Sequence, residues 1–197
     1  MEKIINKLYE PEIVMWITIF LIFFISKFKV GLNYISVTDI IKNHVKCFRS
    51  KSGKILIVPI INYVVLPFFM GAATMRIKLL DDNAINIITV IISILTAMLF
   101  TLLTMVIDMK GKIRNNTEYY SKEAQVSEKS LLETYYTIMY EILVSIILLV
   151  LCFVANFTNR FDSLKSFLIY SLTYMLIINL MMVVKRVFRV IDTDMQK

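Results

Sequence analysis

The sequence predicts an all-α membrane protein: a polytopic transmembrane helical bundle of five spans, or four as the alternative, with a cytosolic amphipathic interfacial helix. Three observations predict this class. Of the 197 residues, 58% are hydrophobic, with a mean hydropathy of +0.71, whereas soluble domains are usually about 45–50% apolar. Several apolar stretches are long enough to cross a bilayer. Lysine and arginine are concentrated in alternate connections. The composition excludes an ordinary soluble domain and a disordered chain.

A single integral membrane domain is predicted over residues 1–197, built from apolar spans. A helix needs about 20 residues to cross a hydrocarbon core of about 30 Å. The first apolar run is short, but it is long enough if Pro11 begins the helix and if Lys27 and Lys29 snorkel to the interface. Without this run the protein has four spans. The predicted spans lie near residues 11–28, 55–75, 84–107, 138–157 and 167–184.

The first apolar run also resembles a secretory signal peptide, because Lys3 and Lys7 precede it. The residues that follow, Ser26 to Lys29, offer no small-residue cleavage site. A basic flank after an apolar run holds an uncleaved anchor in place. We therefore expect the segment to be retained.

The distribution of positive charge predicts the orientation, since lysine and arginine resist translocation. When the first apolar run is taken to end at Ser26, lysine and arginine outside the five apolar runs number 2, 7, 2, 5, 2 and 4 from the N-terminus to the C-terminus. We expect an outer N-terminus and a cytosolic C-terminus; four spans would place both termini inside. The Ile, Lys and Asn bias suggests an AT-rich bacterial gene and hence a bacterial inner membrane. The predicted cytosolic segments are residues 29–54, 108–137 and 185–197.

The first cytosolic segment contains a predicted amphipathic helix from Ser36 to Arg49, in which apolar residues recur at helical spacing. Lying on the inner leaflet, it would present Lys42, Lys46 and Arg49 to anionic lipid or to an acidic partner. The simpler interpretation is that it only anchors the protein. The net charge of +7 fits this attraction to lipid, and direct nucleic-acid binding is not expected.

A second cytosolic segment, Lys110 to Tyr136, is nearly balanced in charge and contains a turn signal at residues 115–117. Ser130 and Glu133 form a capping box, which predicts a helix start before the fourth apolar run. The segment is either a docking surface for a soluble protein or a solvated connector.

Polar residues follow one side of the third predicted span, within an arc of about 140°. Such a stripe can line an aqueous pathway, and hydroxyl groups equally let neighbouring helices pack and hydrogen-bond. Asp108 continues the line. A second stripe lies on the fourth span, from Thr134 to Asn156, and we expect the two stripes to face each other. The candidate intramembrane residues of the first stripe are Thr89, Ser93, Thr96, Thr101 and Thr104.

Glu141 is the only acid within an apolar stretch. Because a charge at the bilayer centre costs about 2.5–3.5 kcal/mol, it should have a partner. The fifth span brings Lys185 and Arg186 back toward the same side of the membrane. We expect an ion pair from Glu141 to Arg186 or Lys185.

Two prolines, Pro59 and Pro67, interrupt the second span, and Gly71 follows them. Each proline removes a backbone donor and can kink a helix. The helix is therefore either a moving part or an ordinary proline-containing span.

The residues do not predict an enzyme. One histidine, His44, and four scattered glycines provide neither a metal-binding cluster nor a phosphate-binding loop, so no cofactor is expected. Cys47 and Cys152 are predicted to stay reduced and unpaired. Two functions fit: a sensor or scaffold that recruits a soluble protein to the inner face, or a small oligomeric channel or membrane-disrupting effector.

The basic segment from Lys42 to Lys54, the polar stretch before Tyr135 and the predominance of spans give an architecture that resembles the KwaA family, the membrane subunits of Kiwa anti-phage defence systems. The resemblance covers the whole chain through its architecture and carries over no functional residue. It implies an inner-membrane homo-oligomer that senses infection and works with a soluble DNA-binding partner of the KwaB type.

Overall fold

The computed structural model of the protein describes residues 37–49, 53–54, 56–114, 122–157 and 162–195, together with residues 13–15, 17–18 and 21. The described part is built from helices, which we number α1 to α5. They span Val37–Lys46 (α1), Ile57–Ile77 (α2), Asp82–Arg114 (α3), Lys122–Asn156 (α4) and Ser163–Met195 (α5).

Four of the described helices are long and apolar enough to cross a membrane. Their surface is also apolar: Ile57 of α2 and Leu164 of α5 expose 70% and 68% of their area, and Ile87 of α3 exposes 60%. Contiguous apolar surface of this kind suits contact with lipid. The all-helical class is thus confirmed for the described residues, and the second to fifth predicted spans correspond to the four helices that are long and apolar enough to cross a membrane. The parts of these four helices whose side chains the structure describes are Ile57–Ile77, Asp82–Gly111, Glu128–Asn156 and Ser163–Phe188.

The predicted first span, residues 11–28, lies largely outside the described residues. Its six described positions are helical, and Thr18 Oγ1 donates to the Val14 carbonyl oxygen at 2.8 Å. A fifth span stays a prediction.

Helices α3 and α4 extend well into the segment 108–137. The prediction that a helix begins near Ser130 is wrong, because α4 already begins at Lys122. Residues 122–129 include Lys, Glu, Ala and Gln, which favour helix strongly enough to continue it. The Ser130 carbonyl oxygen instead accepts a hydrogen bond from Thr134 Oγ1 at 2.8 Å, inside the helix.

The bundle is centred on α4 and α5, with α3 packed against α4 and α2 packed against α5. Each of these helices has a most apolar stretch, and the share of that stretch that is buried differs. It is half in α4 and half in α5, against 22% in α3 and 11% in α2. Two buried clusters join α3, α4 and α5, one around Ile92 and Leu148, the other around Leu99 and Ile142. The outer faces of α2 and α3 are therefore left for lipid or for other protein.

In α2, residues Ile61–Val65 form a π-helical turn between Pro59 and Pro67. The Leu66 N–H donates to the Ile61 carbonyl oxygen, five residues back. This wider turn accommodates Pro67, whose ring would clash with the carbonyl group four residues back in a regular α-helix. The prolines thus widen the helix locally, and α2 continues to Ile77.

Candidate functional site

Helix α1 packs across α4 through His44, and Phe48, two residues after the end of α1, is buried beside it. His44 is 3% exposed and Phe48 is 5% exposed. The His44 ring stacks on Tyr140 of α4, with ring centroids 4.0 Å apart and planes 4° apart, and it meets Phe48 edge-on at 5.0 Å. The helix lies within the predicted stretch Ser36 to Arg49; its contact with a lipid leaflet stays a prediction.

Phe48 also joins α1 to α2. Its carbonyl oxygen accepts a hydrogen bond from the Leu56 N–H at 2.9 Å. Its ring lies 6.3 Å from that of Tyr63, in the π-helical turn of α2. The end of α1 is therefore held by both α2 and α4. We call this meeting point, with the adjoining end of α5, the α1 junction.

An ion pair connects α4 to α5 at the α1 junction. Arg186 Nη1 lies 3.2 Å from Glu133 Oε2, and the two side chains are 16% and 39% exposed. The predicted pairing of Glu141 with Arg186 or Lys185 is wrong. The helices are antiparallel, and Glu141 lies eight residues beyond Glu133, which is about 12 Å along the helix axis.

Glu141 instead lies level with Asn179 of α5, whose side chain approaches the carboxyl group. The carboxyl group is 1% exposed, and neither of its oxygens forms a hydrogen bond of good geometry with a described residue. Asn179 Oδ1 is likewise without a donor among the described residues. The two side chains form a buried polar pair between α4 and α5.

A cavity of about 200 Å³ lies inside the α1 junction, lined by residues of α2, α4 and α5 and by the end of α1. Glu133 and Arg186 form its charged wall, and Phe48 and Tyr63 form an apolar wall. Cys47 also lines it, with Sγ 3.3 Å from the Asn43 carbonyl oxygen. Burial raises the pKa of the Cys47 thiol, so the thiol form predominates at neutral pH and the group is a poor nucleophile.

His44 is the residue of this site that sequence reasoning missed. Burial lowers its pKa from 6.5 to about 4, and the positive charge of Arg186 acts in the same direction. Nδ1 has no hydrogen-bond partner among the described residues. Its burial could have been predicted from the spacing of the apolar residues. His44 lies seven residues after Val37 and four before Phe48, which places it in the middle of the apolar face.

The prediction that the two polar stripes face each other is wrong for most of their length. On α3, Ser93, Thr101 and Thr104 are exposed, and each hydroxyl donates to a carbonyl oxygen of its own helix. Thr89 and Thr96 are half-buried, and Thr89 approaches the Cys152 thiol of α4. The reason is that α3 packs through an isoleucine-rich face, which contains Ile85, Ile88 and Ile92.

The stripe on α4 is buried inside the bundle. Thr134, Thr137 and Ser145 are each 0% exposed, and their hydroxyls also donate to carbonyl oxygens of α4. This stripe contributes to helix packing in a single copy of the chain. On α3, by contrast, Ser93, Thr101 and Thr104 face away from the other helices of the same copy.

The predicted contact residues Lys42, Lys46 and Arg49 are all exposed on or just after α1. No cluster of three or more His, Cys, Asp or Glu able to hold a metal ion occurs among the described residues. The chain matches no protein-family model, no curated protein and no solved structure.

We expect Arg186→Gln to lower stability by about 1–2 kcal/mol, because it removes a hydrogen bond between charged groups and leaves Glu133 partly buried without its partner. Thermal unfolding in detergent measures the change. Lys185→Gln is the matched control, since Lys185 is adjacent and exposed. An equal loss in Lys185→Gln, or strictly additive effects of Arg186→Gln and Glu133→Gln, would contradict the role of the ion pair.

Proposed function

We propose that the protein is a non-enzymatic sensor or scaffold subunit of the bacterial inner membrane, which recruits a soluble effector to the cytosolic face. The observation that carries this proposal is the α1 junction. There, α1 contacts α2 and α4, and α4 is tied to α5 by the Glu133–Arg186 ion pair. A movement of α4 relative to α5 inside the bilayer would therefore change the position of α1 and of the cations that it exposes.

The orientation of the proposed sensor rests on its positive charge. Lysine and arginine are most frequent in the connections on the α1 side, and such connections stay in the cytosol. The end of α5 lies on that side too, because its Arg186 pairs with Glu133 at the α1 junction. The effector would meet Lys42, Lys46 and Arg49 together with the segment from Lys110 to Glu133, so its contact surface should be acidic.

The resemblance to KwaA extends this proposal to a homo-oligomer in an anti-phage defence system, with a KwaB-like DNA-binding protein as the effector. The exposed outer faces of α2 and α3 support assembly, because they offer surface on which further copies can pack.

The alternative function is a small oligomeric channel or membrane-disrupting effector. One observation favours it: the α3 stripe of Ser93, Thr101 and Thr104 faces outward from a single copy. A ring of α3 helices from several copies would bring these hydroxyl groups around a common axis, where they would line a narrow polar pathway.

Purification in mild detergent with the soluble protein encoded by the neighbouring gene tests the proposal. We expect the two proteins to co-elute, and we expect Lys42→Glu with Lys110→Glu to abolish co-elution, since both side chains are exposed and the reversal repels an acidic partner. Asn83→Ala, at the opposite end of α3, should have no effect. Failure of the wild type to co-elute, combined with ion flux in liposomes that Thr101→Val and Thr104→Val change, would favour the channel.

A further inference from the structure

A second cavity, of about 530 Å³, lies beside the α1 junction, between the end of α1 and the part of α4 from Lys129 to Tyr136. Three cations line it: Lys46 and Arg49 from the α1 side and Lys129 from α4. All three side chains belong to exposed residues. Lys42, which shares α1 with them, is not part of the lining.

The cavity has a net positive charge. Glu133 is the one acid among its described lining residues, and its carboxylate is already paired with Arg186 at 3.2 Å. Lys46 Nζ donates to Asn43 Oδ1 at 3.0 Å, which leaves two further N–H groups on that ammonium for a ligand. The lining therefore suits a phosphate group, whose oxygen atoms accept charge-assisted hydrogen bonds from several lysine and arginine side chains at once.

The depth of the cavity points to a lipid as the source of that phosphate. Tyr136, which also lines the cavity, lies two residues before the apolar run that begins at Ile138, and Lys129 lies about two helical turns before Tyr136. Tyrosine rings favour the headgroup level of a bilayer. On α1, Ile41 and Val45 expose 42% and 43% of their area, which provides apolar surface next to the cations.

We propose that this cavity binds the phosphate headgroup of an anionic phospholipid, whose acyl chains run along Ile41 and Val45. Basic pockets at the cytosolic ends of spanning helices suit such headgroups. The bound lipid would bridge α1 and α4 and hold the α1 junction closed. This inference goes beyond recruitment of a soluble partner: where the lipid occupies Lys46, Arg49 and Lys129, the partner would meet Lys42, which lies outside the cavity, and Lys110.

The experiment uses the full chain in detergent, with phosphatidylglycerol, phosphatidylcholine or inorganic phosphate added. Native mass spectrometry counts the retained lipid, and thermal unfolding measures stabilisation. We expect phosphatidylglycerol to be retained and to raise the unfolding temperature, and we expect the other two additives to have neither effect. Each cation neutralised should weaken binding about fivefold, so Lys46→Gln, Arg49→Gln and Lys129→Gln together should weaken it about a hundredfold.

The matched control removes three exposed cations outside the cavity, by Lys42→Gln, Arg76→Gln and Lys110→Gln, and should retain the lipid. Equal loss in this control, equal retention of phosphatidylcholine, or stabilisation by inorganic phosphate alone would overturn the proposal. If the triple cavity variant does not fold, Lys129→Gln alone replaces it, with a fivefold loss expected. Since no partner protein is present, a negative result leaves the recruitment proposal untouched.

Discussion

Replacing Gly71 by alanine will destabilise the protein by forcing α2 and α5 apart where they cross. A Cβ atom built at Gly71 would lie 2.7 Å from the Ser171 backbone nitrogen and 2.8 Å from its Cα. These are backbone atoms, which cannot rotate away, so α2 and α5 must move apart. We expect a loss of about 1–3 kcal/mol, the usual cost of overpacking a close contact, and a larger loss for Gly71→Leu.

Gly111→Ala is the matched control for Gly71→Ala. Gly111 also lies in a helix, and nothing lies within 4 Å of a Cβ atom placed there. Alanine favours a helix by about 1 kcal/mol over glycine, so Gly111→Ala should be neutral or stabilising. Thermal unfolding of both variants in the same detergent gives the comparison. The close crossing of α2 and α5 would be refuted if Gly71→Ala behaved like Gly111→Ala.

Lowering the pH from 6.5 to 4 will weaken the docking of α1 through His44. The pKa of the docked imidazole is lowered to about 4, whereas an exposed histidine has a pKa near 6.5. Below pH 6.5 the undocked form therefore takes up a proton that the docked form excludes. The free energy that neutral His44 contributes to the docking of α1 is fully present above pH 6.5. It falls as the pH is lowered, and the loss reaches about 3 kcal/mol at pH 4.

His44→Phe isolates this effect, because phenylalanine preserves a ring against Tyr140 and cannot be protonated. Unfolding temperatures of the wild type and His44→Phe, recorded from pH 7 to pH 4, provide the test. Carboxylates titrate in both proteins, so the difference between the two profiles reports on His44. We expect the wild type to fall more steeply between pH 6.5 and 4; parallel profiles would refute the role assigned to the buried imidazole.

The spans were predictable from the sequence because the length and hydropathy of a helix are local properties. The predicted span 55–75 and the observed Ile57–Ile77 differ by two residues at each end. The helix at Val37–Lys46 was predictable for the same reason, since its spacing of apolar residues is visible in the sequence. The start of α4 was not predicted, because helix-forming residues before Ser130 outweighed a capping signal.

Contacts between helices could not be derived in the same way. The partner of Arg186 depends on the register of α5 against α4, which packing sets and hydropathy does not report. The sequence did not show that Thr101 and Thr104 face outward. A polar stripe can face either protein or lipid when its hydroxyl groups donate hydrogen bonds to carbonyl oxygens of their own helix. His44 was considered only as a possible metal ligand, although its position on the apolar face of α1 predicts that its side chain is buried.

Chemical labelling from outside intact cells determines whether the protein is a membrane bundle whose α1 end faces the cytosol. Single cysteines are introduced at Asn83 and Lys110, exposed positions near opposite ends of α3, after Cys47 and Cys152 are replaced by serine. We predict that a membrane-impermeant maleimide labels Asn83→Cys in intact cells and labels Lys110→Cys only after permeabilisation. Labelling of Lys110→Cys in intact cells would contradict the account.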